Sequence, residues 1–292
     1  MRWSLSFLLL AVVAGCATRP TATDPAARFT LATEDADESS GRILQHLAQR
    51  EDNAAEEIVA VSYATGRRLP RPGVEATPLV LGVLGPAFDI LTLHANRIAR
   101  ASARIAPAPA SLSTDPTATL ATAQSALRGL AELRGRNWPS QSVRDRGLEG
   151  LRALAAPRPE GLSLADFVAQ RQPAVDAVGA LLLALVGDAP STGLRATLSA
   201  QHAEVQRSAA ALMTAARGDR AIGVGQRYVM FRSISQAMRQ DPPEVALLQL
   251  AEVLRAMPAA HAAVGRDDTD GVDVYVTAVA QLGAIVEQIP GE

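Results

Sequence analysis

The chain has 292 residues, of which 48% are hydrophobic, 20% charged and 3% aromatic, enough apolar side chain for a packed core and a composition that excludes a disordered or collagen-like protein. Its 28 basic residues are all arginine and face 30 acidic ones, for a net charge of -2 and a pI near 6.1. That balance excludes the strongly basic surface on which non-specific nucleic-acid binding depends. Alanine is abundant while Ile, Tyr, Phe and Trp are scarce, which favours helix over sheet.

At the N-terminus a single positive charge, Arg2, precedes an apolar run from Leu5 to Val13 that stops at the small residues Ala14 and Gly15 before Cys16. This is the layout of an export signal, shorter than the roughly 20 apolar residues a membrane span needs. The segment Val13-Ala14-Gly15-Cys16 resembles the lipobox of bacterial lipoproteins, with valine where the family more often has leucine. The resemblance implies cleavage after Gly15 and diacylglycerol on the Cys16 thiol. With Ala17 rather than aspartate next, it also implies sorting to the periplasmic face of the outer membrane. Cys16 is the only cysteine, so the chain forms no intrachain disulfide, and its thiol reads as an anchor rather than a catalyst. Buried acyl chain contributes about 0.8 kcal/mol per CH₂, so two chains hold a protein stably without a transmembrane helix. Removing residues 1–15 leaves 27 arginines against 30 acids, a body with no overall attraction to anionic lipid.

Residues 16–38, a lipidated cysteine followed by Thr, Pro and acids without helical periodicity, read as a flexible tether. The helical domain is then expected over 39–292. Its first helix runs from Ser39 to Ala64, with Ile43, Leu47, Ala54, Ile58 and Val61 on one face. The second spans about Leu79 to Ile105, where Leu84, Phe88, Leu91, Ala95, Ile98, Ser102 and Ile105 alternate at spacings of four and three, a narrow seam against neighbouring helices. Further helices are predicted over Pro116–Arg136, Ser140–Ala156, Ser163–Gly187, Thr192–Arg217, Arg220–Gln240, Pro242–Val264 and Gly271–Ile289.

A capping residue followed by proline marks three of the starts, at Thr77-Pro78, Asp115-Pro116 and Asp241-Pro242. Ser163 and Asp166 form a capping box, and Asp270 with Asp273 is a second. Pro86, Pro173 and Pro258 fall inside predicted helices, where each should kink or split one. Val178–Val186 is apolar all round and so belongs at the centre of a bundle. Short linkers make antiparallel neighbours, and the expected fold is an all-α bundle of about eight or nine helices.

Candidate chemistry is sparse. His46, His94, His202 and His261 stand on different helices, and none has Glu, Asp or His three or four residues away. They read as hydrogen-bonded core or boundary residues; if a ligand or haem lies between helices, His202 and His94 are the candidates to meet it. Arg97, Arg100 and Arg104 share one side of the second helix, opposite its seam. They form a candidate interaction surface, or they complement the helix dipole. Arg266-Asp-Asp-Thr-Asp-Gly271 imitates a calcium loop but has Arg266 at the first ligand position and Thr277 where the bidentate glutamate belongs, so no metal site is assigned. Gly223-Val-Gly225 lacks a third glycine and a preceding strand, and no nucleophile elbow, zinc-helix pair or P-loop occurs.

These readings lead to a lipid-anchored envelope protein with no cofactor beyond the lipid. Its leading role is a non-catalytic scaffold or adaptor with a protein partner in the envelope. The alternatives are a helical carrier of an apolar ligand or haem, and an envelope hydrolase whose site is dispersed in sequence.

Overall fold

A computed structural model describes residues 24–70, 75–102, 115–133, 138–238 and 244–289. Among these residues there are nine α-helices and no strand: α1 Pro25–Ala64, α2 Ala76–Ser102, α3 Pro116–Glu132, α4 Gln141–Ala155, α5 Leu164–Val186, α6 Gly193–Gly218, α7 Val224–Met238, α8 Glu244–Gly265 and α9 Thr269–Val286. The protein is an all-α multi-helix bundle. Cys16 and the lipobox lie outside the described residues, as do Arg104 and the Asp241-Pro242 start.

The centre is α2, whose face Leu84, Phe88, Leu91, Ala95 and Ile98 is at most 2% exposed. By length and composition α2 is apolar enough to cross a membrane, yet 56% of that window is buried inside the body. It packs against α1, α3, α4, α5 and α6, while α8 lies between α5 and α9, and α9 returns to α1. The all-apolar C-terminal half of α5 is buried through Val178, Leu181, Leu182, Leu185 and Val186. Two glycines set its distances to neighbours: a Cβ on Gly150 would sit 2.8 Å from the Ala174 carbonyl, and one on Gly179 3.2 Å from the Pro258 ring. Small residues here let backbones approach closely, which larger ones would prevent. Helices α2, α5 and α8 each run continuously through their internal prolines, Pro86, Pro173 and Pro258.

The first helix begins fourteen residues earlier than the sequence pattern predicts. The reading of 24–38 as tether is therefore corrected to helix. Asp24 accepts the Ala26 N–H at 3.3 Å, and Pro25 occupies the first helical position, where its missing N–H costs nothing. The buried face of this stretch is Ala26, Phe29, Ala32, Thr33 and Ala36. Its apolar seam is made mostly of alanine and threonine, which hydropathy alone barely registers. Asp24 also accepts from Ser102 Oγ at 2.9 Å, and Thr30 Oγ1 donates to the Ala95 carbonyl at 3.0 Å, so the start of α1 is fastened to the end of α2. At about 1.5 Å per residue, the 40 residues of α1 span about 60 Å.

Two other caps differ from expectation. Helix α2 starts at Ala76, so Thr77 lies inside it; the cap is Glu51 of α1, whose two oxygens accept the Ala76 and Thr77 N–H groups at 3.0 and 2.8 Å. The Glu51 backbone carbonyl accepts from Gln201 of α6 at 2.8 Å, so one residue joins three helices. At α9 the cap is Asp268, accepting from Gly271 N, rather than Asp270; Asp273 instead pairs with Arg28. Asp115 and Ser163 cap α3 and α5 as expected.

Candidate functional site

Two of the buried polar residues form a pair of imidazoles in the core. His94 of α2 and His261 of α8 are 1% and 0% exposed, and their Nε2 atoms lie 3.0 Å apart. The proton positions follow from their partners. Gln172 of α5 places its amide nitrogen 2.7 Å from Asp176 Oδ1 and 3.0 Å from the Pro258 carbonyl, both acceptors. Its Oε1 must then face His261 Nδ1, at 2.7 Å, and accept the Nδ1–H. That leaves His261 Nε2 as a bare acceptor for the His94 Nε2–H. His94 Nδ1 ends the chain as a buried lone pair with no partner.

Aromatic rings wall in the pair. Phe167 lies 5.3 Å from His94, Phe29 5.8 Å from His261, and Tyr275 5.6 Å from Phe29. The Phe167 ring in turn carries the Arg158 and Arg171 guanidinium groups at 5.8 and 5.7 Å. Burial holds both imidazoles neutral. It pushes His261 down to about 4 and takes His94 well below its ordinary range, with further lowering from His261, Arg171 and Arg97. Each Nε2 is occupied by the other ring, so an incoming iron or metal ion would first have to separate them.

The structure does not bring the two candidate ligand residues together. His202 lies half-buried on α6, its Nε2 2.9 Å from the Gln206 amide. It lines a surface groove of about 360 Å³ with Leu47, Glu51, Glu57, Leu198 and Ile234. Arg97 is not part of a free surface: its Nη1 donates to the Leu154 and Ala156 carbonyls at 2.9 and 2.8 Å, capping the C-terminus of α4. Arg100 is exposed. Among the described residues no group of three or more His, Cys, Asp or Glu gathers where it could hold a metal ion.

Two carboxylates are raised by burial. Asp37 of α1 is pushed up to about 6, first by burial and then by the charge of Asp89 on α2, and burial also raises Asp89.

The second groove, also about 360 Å³, opens between α1 and α9. Its floor is apolar and small-featured, made by Ala32, Val276, Val279, Ala280, Gly283 and Val286, and its rim is charged with both signs, Arg28 and Arg42 beside Asp35, Glu38 and Glu287. The sequence pass missed this floor because it alternates between two helices 240 residues apart. It missed the imidazole pair for a similar reason, since no local spacing links His94 to His261. Comparison of the chain with protein-family models, with curated proteins and with solved structures found no significant match.

Proposed function

We propose that the protein is a lipid-anchored scaffold or adaptor of the bacterial envelope, held at the periplasmic face of the outer membrane by acylated Cys16 and binding a helical segment of a protein partner in the α1–α9 groove. The anchor rests on the Arg2, apolar run and Val13-Ala14-Gly15-Cys16 pattern. The observation supporting the binding role is the groove itself. An apolar trough between two helices that run parallel, with a rim charged in both signs, suits an amphipathic helix that lays its apolar face inward and its charges outward. Its floor residues are small, so a partner backbone fits close. The buried histidines favour an architectural reading of the interior: both rings are closed from solvent and serve each other.

The test is crosslinking and affinity capture from detergent-solubilised native envelope with the parent chain and with Ala280→Trp, which fills the groove from an exposed position. The parent is expected to return a defined partner, and the variant to lose about tenfold or more of it at unchanged melting temperature. Recovery of the same partner at the same level by both, or no specific partner from either, contradicts the reading.

A further inference from the structure

We infer that α7 is a membrane-surface helix, resting its outer face on an anionic phospholipid bilayer. Among the described residues α7 packs on α6 alone, while its Ser233 and Ile234 also line the groove that α6 forms with α1. Its inward side is Arg227, Met230 and Ile234, spaced three and four apart, with Ile234 buried. The rest of the helix is left to solvent although much of it is apolar: Val224, 82% exposed, Tyr228, 61%, and Phe231, 56%, line one flank at spacings of four and three, and Val229, 62% exposed, lies further round the outer side. These are the largest hydrophobic exposures in the described bundle apart from Tyr63 and Val274. Nowhere else are four gathered on one short helix.

Charge decides what covers this face. From Val205 to Gln240 the chain has six arginines (Arg207, Arg217, Arg220, Arg227, Arg232 and Arg239) and one acid, Asp219, while the whole chain is net negative. Arg207 pairs with Glu204, and Arg227 Nη2 donates to the Asp219 carbonyl at 3.2 Å. Arg217, Arg220 and Arg232 are exposed. A limb whose fixed charge is almost wholly positive, on an otherwise acidic body, complements phosphate headgroups, with each arginine near an anionic surface worth about 1 kcal/mol. A second copy is disfavoured as occupant, because a two-fold contact through this limb would bring two positively charged surfaces together. Tyr and Phe flanked by arginine on a helix of modest hydrophobicity are what an interfacial helix presents to the boundary between headgroups and acyl chains. The inference does not depend on Cys16 carrying lipid or on the α1–α9 groove binding a partner.

The test places a reporter on the face in the full chain. Phe231→Trp is compared with the parent, whose own tryptophans are Trp3 and Trp138, on phosphatidylglycerol-rich vesicles and on pure phosphatidylcholine vesicles. The added emission is expected to shift to the blue on phosphatidylglycerol, and to be quenched by lipid brominated in its acyl chains. Both effects are expected to be lost when Arg220→Glu and Arg232→Glu are introduced together. A water-exposed emission on both vesicle types overturns the inference. So does a blue shift that brominated lipid leaves unquenched, which assigns the face to protein, either a second copy or a partner. Substitution at an exposed position spares the fold, and an unchanged melting temperature checks this.

Discussion

The imidazole pair sets how stability responds to acid. His94 and His261 have folded pKa values below the ordinary histidine value near 6.5, His261 at about 4. In that window the unfolded chain binds more protons than the folded one, so the pair's contribution is complete above pH 6.5 and is lost as pH falls from there toward 4. Asp37 acts with the opposite sign. Its folded pKa of about 6 lies above the ordinary 3.8, so its contribution is present at low pH and disappears as pH rises through 6. Replacing His94→Gln removes one titrating ring while keeping a donor for His261 Nε2; the melting temperature is expected to fall less steeply between pH 6.5 and 4 than in the parent. Asp37→Asn is expected to raise the melting temperature above pH 6 and to lose that gain near pH 4. Thermal melts across this range check both, and parallel curves for parent and variant contradict the assignment. The histidines were visible in the sequence as residues that belong inside a bundle, but not as partners. Their positions differ by 167, and only the fold, which aims one side chain from α2 and one from α8 at each other across the core, joins them.

At the scale of elements, helix existence and most boundaries were legible because leucine, phenylalanine and isoleucine repeat at three and four along α2, and because Asp115 and Ser163 are strong local caps. The start of α1 was not, because its seam is built from Ala26, Ala32, Thr33 and Ala36, with Phe29 as its one large residue. Such a seam binds through close approach rather than through hydrophobic bulk. Two substitutions distinguish a helix here from a tether. Phe29→Ala is expected to cost about 3–5 kcal/mol in denaturant unfolding, since it empties a space beside His261 and Tyr275. Asp24→Ala is expected to cost about 1 kcal/mol through the lost cap. If both leave stability unchanged, residues 24–38 do not pack as described. Helix α2 illustrates the same limit at its other end: Thr77-Pro78 is a good local start signal, but a carboxylate from a different helix, Glu51, reaches the free N–H groups and displaces it. Glu51→Ala is expected to cost about 1–3 kcal/mol, because two N–H groups at a buried helix start lose their acceptor.

For the whole molecule, α1 is the spine. The α9 groove lies along its N-terminal half, and α6, with α7 beyond it, joins its C-terminal half. The α1–α9 trough and the basic apolar α7 limb thus sit toward separate ends of one helix about 60 Å long. The proposed adaptor would use that separation to hold its partner at a bilayer. The intact mass of the protein extracted from its native membrane tests the proposed anchor and the proposed adaptor role at once. A chain beginning at Cys16 and bearing acyl groups, with no small molecule retained under native conditions, is expected. An unmodified N-terminus would remove the anchor, and a retained apolar ligand or haem would replace the adaptor with a carrier.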